Sequence, residues 1–240
     1  MGIGKPDEEQ LSKFDEAVVR TLVVQAIEEF ATEANTFGVM RDIALNGFAM
    51  VTPEGLRNLR DLAVKCQALP GAFVECGVAR GGCLALLALL AGPDRTVWGF
   101  DSFEGLPELT PEDKGSGEEW VGYECAGPDG EKAVAHTFET LGIPMDDVRL
   151  VAGWFEDTLL HFVDEVGAIA LLRLDADFYK STRFVLDTLY DSVEAGGAII
   201  IDDYFTFLGC RTAVDEFRAE RRITSRLEVA DPTSEAFWLK

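Results

Sequence analysis

The sequence has few basic residues, few histidines and no long apolar run. Its 240 residues contain 21 Lys and Arg against 43 Asp and Glu, for a formal net charge of −22, and only two histidines. Proteins that bind nucleic acids or anionic membrane surfaces need a basic footprint, so the charge argues against both kinds of partner. No segment approaches the roughly 20 apolar residues that a membrane-spanning helix requires.

Paired cysteines and a secretory leader are also missing. The five cysteines are odd in number and lack the close spacing that is typical of zinc sites or disulfide frameworks. Reduced thiols favour a reducing compartment. The first ten residues, MGIGKPDEEQ, contain no apolar signal core. We therefore expect a soluble, cytoplasmic protein.

Beyond residue 70, short apolar runs alternate with turn residues and helical stretches. This alternation predicts βα units and a parallel sheet. One long segment, 102–130, is rich in glycine, proline and acidic residues, as functional or mobile loops are. Strands are expected at Ala72–Cys76, Thr96–Phe100, Val148–Val151, Ala168–Leu174 and Ala198–Ile201, and helices at 82–91, 131–141, 181–194 and 209–222.

The N-terminal part has a different sequence pattern. Apolar residues recur at helical spacing over 8–34, which predicts an amphipathic helix. A less regular stretch, 37–51, precedes a second helix that begins at Pro53 behind the N-cap residue Thr52. No change of composition marks a second domain. We therefore expect residues 1–70 to add helices to a core formed by residues 71–240.

A glycine-rich turn follows the first predicted strand. The run from Glu75 through Gly77 to Gly82 opens an apolar helix, and glycines in such a turn let a nucleotide-like ligand approach the backbone. The pattern is not the dinucleotide motif GxGxxG. Glu75 would repel a pyrophosphate but attract a cationic amine or a sulfonium. An ordinary tight βα turn is the alternative interpretation.

An acidic residue also ends the second predicted strand. Asp101 lies where doubly wound folds place a carboxylate that accepts bonds from both ribose hydroxyls. Together with Glu75, it favours a ligand that has a ribose and a positive centre but no phosphate, and S-adenosylmethionine fits. Capping of a helix by Asp101 or Ser102 is the alternative.

Aspartates end two further strands that should be neighbours. Asp175 and Asp177 follow one strand, and Asp202 and Asp203 follow the next. Carboxylates brought this close repel one another unless a cation or a proton relieves them. Hard oxygen ligands suit Mg²⁺, so Asp175, Asp202 and Asp203 are the predicted metal ligands. Taken singly, Asp177 or Asp203 could instead cap a helix or face solvent.

These motifs together resemble the macrocin O-methyltransferase family, whose enzymes use Mg²⁺ and S-adenosylmethionine to methylate hydroxyls of macrolide sugars and other secondary metabolites. The similarity lies in several segments that follow in order. They are FVECGVARGG (73–82), VWGFDSFEGLP (97–107), GWFEDTL (153–159), LRLDADFYKST (172–182), GGAIIIDDY (196–204) and CRTAVDEF (210–217).

The resemblance implies a Rossmann-like class I methyltransferase fold: a mostly parallel, doubly wound α/β sheet with an antiparallel last strand and an N-terminal helical lid over 37–56. It implies that the general base is Asp175 or Asp177 and that the enzyme is a homo-oligomer. It also assigns cofactor contacts, with Glu75 and Gly77 at the methionine part, Asp101 at the ribose and Ser102 beside it, and Gly153, Trp154 and Phe155 at the adenine. Asp175 is a further cofactor contact.

The acceptor is less defined than the chemistry. A small-molecule hydroxyl, on a sugar or cyclitol of a secondary metabolite, is the first hypothesis, and a catechol-type enzyme acting on a phenolic diol is the second. The lid contains only Phe37 and Phe48 as aromatic residues, which disfavours a flat aromatic acceptor. A non-catalytic binding module would not need the aspartates. A nucleotide-dependent oxidoreductase or kinase would need a phosphate-binding motif that the sequence lacks.

Overall fold

The computed structural model describes residues 33–92, 94–127 and 129–240. Contacts divide the chain into a short unit, Met1–Val39, and a large unit, Met40–Lys240. The predicted helix over 8–34 lies almost wholly outside the described residues, and the predicted division at residue 70 stays a prediction. No helix among the described residues is long and apolar enough to cross a membrane.

Helices and strands alternate along most of the large unit. The helices are α1 (33–46), α2 (Pro53–Cys66), α3 (Gly82–Ala91), α4 (Glu131–Leu141), α5 (Phe155–Val166), α6 (Tyr179–Leu189) and α7 (Leu208–Glu220). The strands are β1 (Ala72–Cys76), β2 (Val97–Asp101), β3 (Val148–Ala152), β4 (Ile169–Leu174), β5 (Val193–Ile201), β6 (Glu228–Val229) and β7 (Ala236–Leu239).

The strands form one seven-stranded sheet in the order β3-β2-β1-β4-β5-β7-β6. Strands β1 to β5 are parallel, and β7 runs antiparallel to β5 and β6. The predicted doubly wound sheet with an antiparallel last strand is therefore confirmed. The strand order reverses between β1 and β4, and ligands of such sheets bind at the carboxyl ends of the strands at that point.

Burial explains why the central strands were readable in the sequence. Every residue of β1 and β4 is buried, because helices cover both faces of the sheet. The predicted cap of α2 is also present: the Thr52 hydroxyl oxygen accepts a bond from the Gly55 N–H at 3.1 Å, and Pro53 opens the helix.

Two local predictions were wrong. Residues 37–46 of the stretch expected to be irregular belong to helix α1. Strand β5 begins at Val193, so the predicted helix over 181–194 ends earlier, and Gly196-Gly197 lies inside a strand rather than in a turn. The reason is tertiary: Gly196 N–H donates to the Lys240 carbonyl, and Lys240 N–H donates to the Gly197 carbonyl.

Candidate active site

The carboxyl ends of β1, β4 and β5 bring the predicted acidic residues together. Backbone bonds continue the sheet past the strand ends, since Asp175 N–H donates to the Cys76 carbonyl at 2.8 Å and Asp202 N–H donates to the Leu174 carbonyl at 2.9 Å. The side chains that follow these strands are therefore held at fixed positions at the switch point of the sheet.

One buried arginine joins three of these strands. Arg173 is 1% exposed, and its Nη1 donates to Glu75 Oε1 and to Asp175 Oδ2, both at 2.9 Å. Its Nη2 donates to Asp202 Oδ1 at 2.7 Å. The planar guanidinium supplies donors in a fixed fork, which suits several carboxylates at once. Arg173 thus compensates a group of negative charges that would otherwise repel one another in the interior.

Glu75 remains only partly satisfied by this arginine. Its Oε2 is buried and has no hydrogen-bond partner in the described structure. Burial raises the pKa of Glu75 to about 8, although the Arg173 charge acts in the opposite direction. A buried carboxylate with a free oxygen favours a cationic or hydrogen-bond-donating ligand.

Three carboxylates converge next to this arginine. One oxygen from each of Asp175, Asp177 and Asp203 lies within 4.8 Å of the others, which is close enough for one cation to contact all three. Asp203 Oδ2 is buried without a hydrogen-bond partner. Removal from water, and then the neighbouring carboxylates, raise the pKa of Asp177 and of Asp203 well above the ordinary carboxyl range.

The structure thus arranges the aspartates differently from the predicted ligand trio of Asp175, Asp202 and Asp203. Asp177 joins Asp175 and Asp203, whereas one oxygen of Asp202 is occupied by Arg173. The sequence could not show this, because the hydrogen bond from Arg173 to Asp202 joins residues of different strands. The predicted metal-binding role of Asp202 stays a prediction, and the observed cluster makes Asp177 an alternative ligand.

The glycine turn lies directly against the aspartates. Gly77 has φ +92°, and a Cβ at this position would lie 1.8 Å from the Asp175 carbonyl oxygen. Any side chain here would push β1 and β4 apart at the switch point. Glycine is therefore required by both the backbone conformation and the space.

Asp101 is engaged by the backbone of the same turn. Its Oδ2 accepts bonds from Val78 N–H at 2.7 Å and Ala79 N–H at 2.8 Å, and its Oδ1 accepts from Phe103 N–H at 2.7 Å. A carboxylate offers about four acceptor positions, so about one remains, on Oδ1. Asp101 can therefore still accept a bond from a ligand, and its predicted contact with the ribose stays a prediction.

The strand ends and the turn surround a cleft of about 920 Å³, including its open mouth. Of the predicted cofactor residues, Glu75, Gly77, Asp101, Ser102, Trp154, Phe155 and Asp175 line the cleft, together with Asp177. Gly153 is not among the lining residues; it precedes Trp154 and its N–H donates to the Asp101 carbonyl at 2.9 Å.

Comparison with known proteins identifies the family of the chain. The sequence profile of the macrocin O-methyltransferase (TylF) family matches residues 4–240. The chain belongs to the macrocin O-methyltransferase family. The predicted relationship is thereby confirmed, and the protein is an O-methyltransferase.

Two relatives from the genus Streptomyces illustrate the family. The chain is 36% identical over 200 residues to the demethyldecarbamoylnovobiocin O-methyltransferase of Streptomyces niveus, covering 80% of this chain and 75% of the relative. It is 36% identical over 198 residues to the 8-demethyl-8-(2,3-dimethoxy-α-L-rhamnosyl)-tetracenomycin-C 4′-O-methyltransferase of Streptomyces olivaceus, covering 78% of this chain and 74% of the relative.

A solved structure shows the same fold. The O-methyltransferase NovP superposes with a TM-score of 0.71 at 33% identity, and the match covers 80% of this chain and 81% of NovP. The cleft of this O-methyltransferase therefore lies on the established scaffold of its family.

Sequence reasoning missed the arginine of the site. Arg173 interrupts the apolar run of β4, and a charge inside a fully buried strand is almost never left unpaired. That rule was a usable signal for a buried ion pair. The identity of its three partners was not readable, because they come from strands that are distant in sequence.

Proposed function

We propose that this O-methyltransferase transfers the methyl group of S-adenosylmethionine to a sugar hydroxyl of a secondary metabolite, with Mg²⁺ at the aspartate cluster. The observation that carries the proposal is the convergence of Asp175, Asp177 and Asp203 beside a cleft that Glu75 and Gly77 also line. Such an arrangement supports a site in which a cofactor, a cation and an acceptor hydroxyl lie within reach of one another.

The residues of the cleft fit the cofactor. The free Oε2 of Glu75 can accept a bond from the α-amino group, and Gly77 leaves the backbone open to close approach. The remaining acceptor position of Asp101 suits one ribose hydroxyl. Trp154 and Phe155 provide aromatic surface for the adenine.

The aspartates likewise fit a divalent ion. The buried, unpartnered oxygen of Asp203 needs a cation or a proton, and Asp175 offers a second oxygen nearby. Asp175 and Asp203 belong both to the predicted trio and to the observed cluster, so we assign these two as ligands. When bound, the cofactor supplies an electrophilic methyl group and the ion lowers the pKa of a hydroxyl that it contacts.

The aspartates also supply a general base. The carboxylate of Asp177 or Asp175 accepts the proton of the acceptor hydroxyl, and both line the cleft. Asp175 shares one oxygen with Arg173, whereas no hydrogen bond of the Asp177 carboxylate occurs in the described structure. The carboxylate that is less engaged is the better proton acceptor, so we favour Asp177.

The names of the relatives support the acceptor class. One relative is named for 4′-O-methylation of a rhamnosyl tetracenomycin, and another for a demethylated novobiocin derivative. The lid side of the cleft consists of Ala49, Met50 and Val51 and contributes no aromatic ring. This composition supports a sugar over a flat phenolic diol.

A methyl-transfer assay tests the proposal. The purified protein is incubated with S-adenosylmethionine, Mg²⁺ and either demethyldecarbamoylnovobiocin or the rhamnosyl tetracenomycin, and products are identified by mass spectrometry. We expect a methyl gain on a sugar hydroxyl that excess chelator abolishes. A catechol probe is assayed in parallel, and methylation of this probe with no methyl gain on either other acceptor would overturn the sugar assignment. Full activity in chelator would overturn the role of Mg²⁺.

Isosteric variants separate ligand from base. Asp203→Asn should weaken Mn²⁺ binding, followed by electron paramagnetic resonance, by about tenfold or more, because it removes a charged ligand. Asp177→Asn should lower kcat about 100-fold or more. If Asp177 is the base and not a ligand, Asp177→Asn should keep the affinity for Mn²⁺. In that case Asp202 is the third ligand, and Asp202→Asn should weaken Mn²⁺ binding. Asp164→Asn, on an exposed face of α5, is the matched control.

A further inference from the structure

The insertion segment, residues 102–127, reaches the cleft at both of its ends. Ser102, Phe103 and Gly105–Pro107 line the cleft from one end, and Glu124–Ala126 from the other. The two ends are joined by Gly122 N–H, which donates to the Leu106 carbonyl at 2.9 Å. The middle of the segment lies elsewhere and contacts the starts of α6 and α7.

A buried carboxylate fixes the middle of the segment to α6. Asp113 is 1% exposed, and its Oδ1 accepts a bond from the Tyr179 N–H, the first residue of α6, at 2.8 Å. Its Oδ2 accepts bonds from the N–H and the hydroxyl of Thr110, both at 2.8 Å. Asp113 therefore caps a helix from 66 residues away in sequence, where the helix dipole favours a negative charge.

Helix α7 leaves space for this carboxylate. A Cβ on Gly209 would lie 1.6 Å from Asp113 Oδ1 and 3.0 Å from Tyr179 N. Even the smallest side chain at position 209 would occupy the place of the carboxylate oxygen. Gly209 is thus matched to Asp113, and the contact can be broken from either side.

The capped amide lies two residues after Asp177. Asp177 has φ +57°, a left-handed conformation that is unfavourable for a residue with a Cβ. The turn closes with Phe178 N–H donating to the Ala176 carbonyl at 2.6 Å, and Tyr179 then starts the helix. The ring of Phe178 lies against Gly117 of the insertion segment, where a Cβ would be 2.7 Å from it. The strained turn is therefore held at its exit by the segment.

We propose that Asp113 is a positioning residue that fixes the Asp177 turn and the insertion segment in one arrangement. The carboxylate of Asp113 holds the backbone at Tyr179, and this holds Asp177 facing the cleft. The same carboxylate holds Thr110, which sets the segment whose ends line the cleft. The inference rests on the proposed role of Asp177 in proton transfer.

Two variants break the contact independently. Asp113→Asn keeps the size but loses the charge and presents an NH₂ group to one of its three donors. Gly209→Ala leaves Asp113 intact and displaces it. We expect each variant to lower kcat about tenfold or more with either acceptor named above, because the base moves from its productive position. The affinity for S-adenosylhomocysteine, measured by calorimetry, should stay within about twofold. Glu119→Gln, an exposed charge change in the same segment, is the control.

Hydrogen exchange provides a readout that needs no acceptor. The Tyr179 amide should exchange about tenfold faster or more in both variants than in the wild type, since its acceptor is displaced in Gly209→Ala and loses its negative charge in Asp113→Asn. If the wild type methylates neither acceptor, the proposed function fails. The exchange of the Tyr179 amide still tests whether Asp113 holds the start of α6. The inference is overturned if Tyr179 exchange is unchanged, or if folded variants keep kcat within about twofold of the wild type.

Discussion

At the scale of single residues, the site is organised by one internal cation. Arg173 forms ion pairs with Glu75, Asp175 and Asp202, which lie in or directly after three adjacent strands. A buried ion pair adds little over a well-packed apolar core, but removing one partner leaves buried charge without compensation. The site therefore depends on Arg173 more than its burial alone suggests.

Arg173→Met should lower the free energy of unfolding by about 3–5 kcal/mol, because three carboxyl groups lose their shared charged hydrogen-bond donor. Urea unfolding followed by circular dichroism near pH 7.5 measures the change. Arg149→Met, on an exposed position of β3, is the matched control and should change the value by less than about 1 kcal/mol. Equal effects in both variants would show that the carboxylates do not need Arg173.

Residue types were more predictable than their partners. The acidic ends of β1, β2, β4 and β5 could be read from the sequence because an apolar run followed by a carboxylate is a local signal. The backbone bonds that occupy Asp101 were not readable, since they depend on the exact path of the glycine turn. The role of Asp113 was hidden for the same reason, because its partner Tyr179 is distant in sequence.

At the scale of elements, predictions succeeded where local and tertiary preferences agree. Strand β1 and helices α3 and α4 have the predicted bounds, since turn residues delimit each of these segments on both sides. The start of β5 was wrong because the C-terminal residue Lys240 pairs with Gly196 and Gly197. A pair of glycines predicts a turn locally, and only the distant strand partner makes it a strand.

The start of α3 joins the glycine turn to the lid. Gly82 N–H donates to the Phe48 carbonyl at 3.0 Å, and a Cβ on Gly82 would lie 2.7 Å from that oxygen. The residues after Phe48 line the cleft as Ala49–Val51. The close approach of the two backbones thus sets the position of this wall.

Gly82→Ala should therefore destabilise the protein by about 1–3 kcal/mol through crowding and displace the lid wall. We expect the affinity for S-adenosylhomocysteine, measured by calorimetry, to fall about threefold or more. Gly38→Ala is a suitable control, because a Cβ there has no atom within 4 Å, and alanine favours helices. Unchanged affinity in a folded Gly82→Ala protein would show that the wall position does not matter for the cofactor.

At the scale of the whole molecule, the acidic residues behind the net charge of −22 lie in two different environments. Most of the described acidic residues are exposed or partly exposed, where salt screens their charges over about 10 Å at 0.1 M ionic strength. A smaller set is buried near the site, where screening is weak. Among these, Glu235 is 0% exposed and receives one bond, from Asn58 Nδ2 to its Oε1 at 2.7 Å.

Stability should therefore fall as the pH rises through the neutral range. Burial raises the pKa of Glu75 to about 8 and of Glu235 to about 7, above the usual value near 4.3 of an unfolded chain. Between about pH 4.5 and these values the folded state keeps protons that the unfolded state releases, so each group contributes a loss of up to about 1.4 kcal/mol per pH unit.

Glu235→Gln isolates one of these contributions. The amide keeps an acceptor for Asn58 but carries no titrating proton. The decline in unfolding free energy between about pH 5 and pH 7 should therefore be shallower by up to about 1.4 kcal/mol per pH unit, which corresponds to one proton. Urea titrations across this range, in chelator and about 0.5 M NaCl, measure the slope while salt suppresses the surface charges. Glu139→Gln, an exposed change of the same kind on α4, should leave the slope unaltered. A slope that stays the same in Glu235→Gln would mean that Glu235 is already ionised in the folded protein and contributes nothing to the pH dependence of stability.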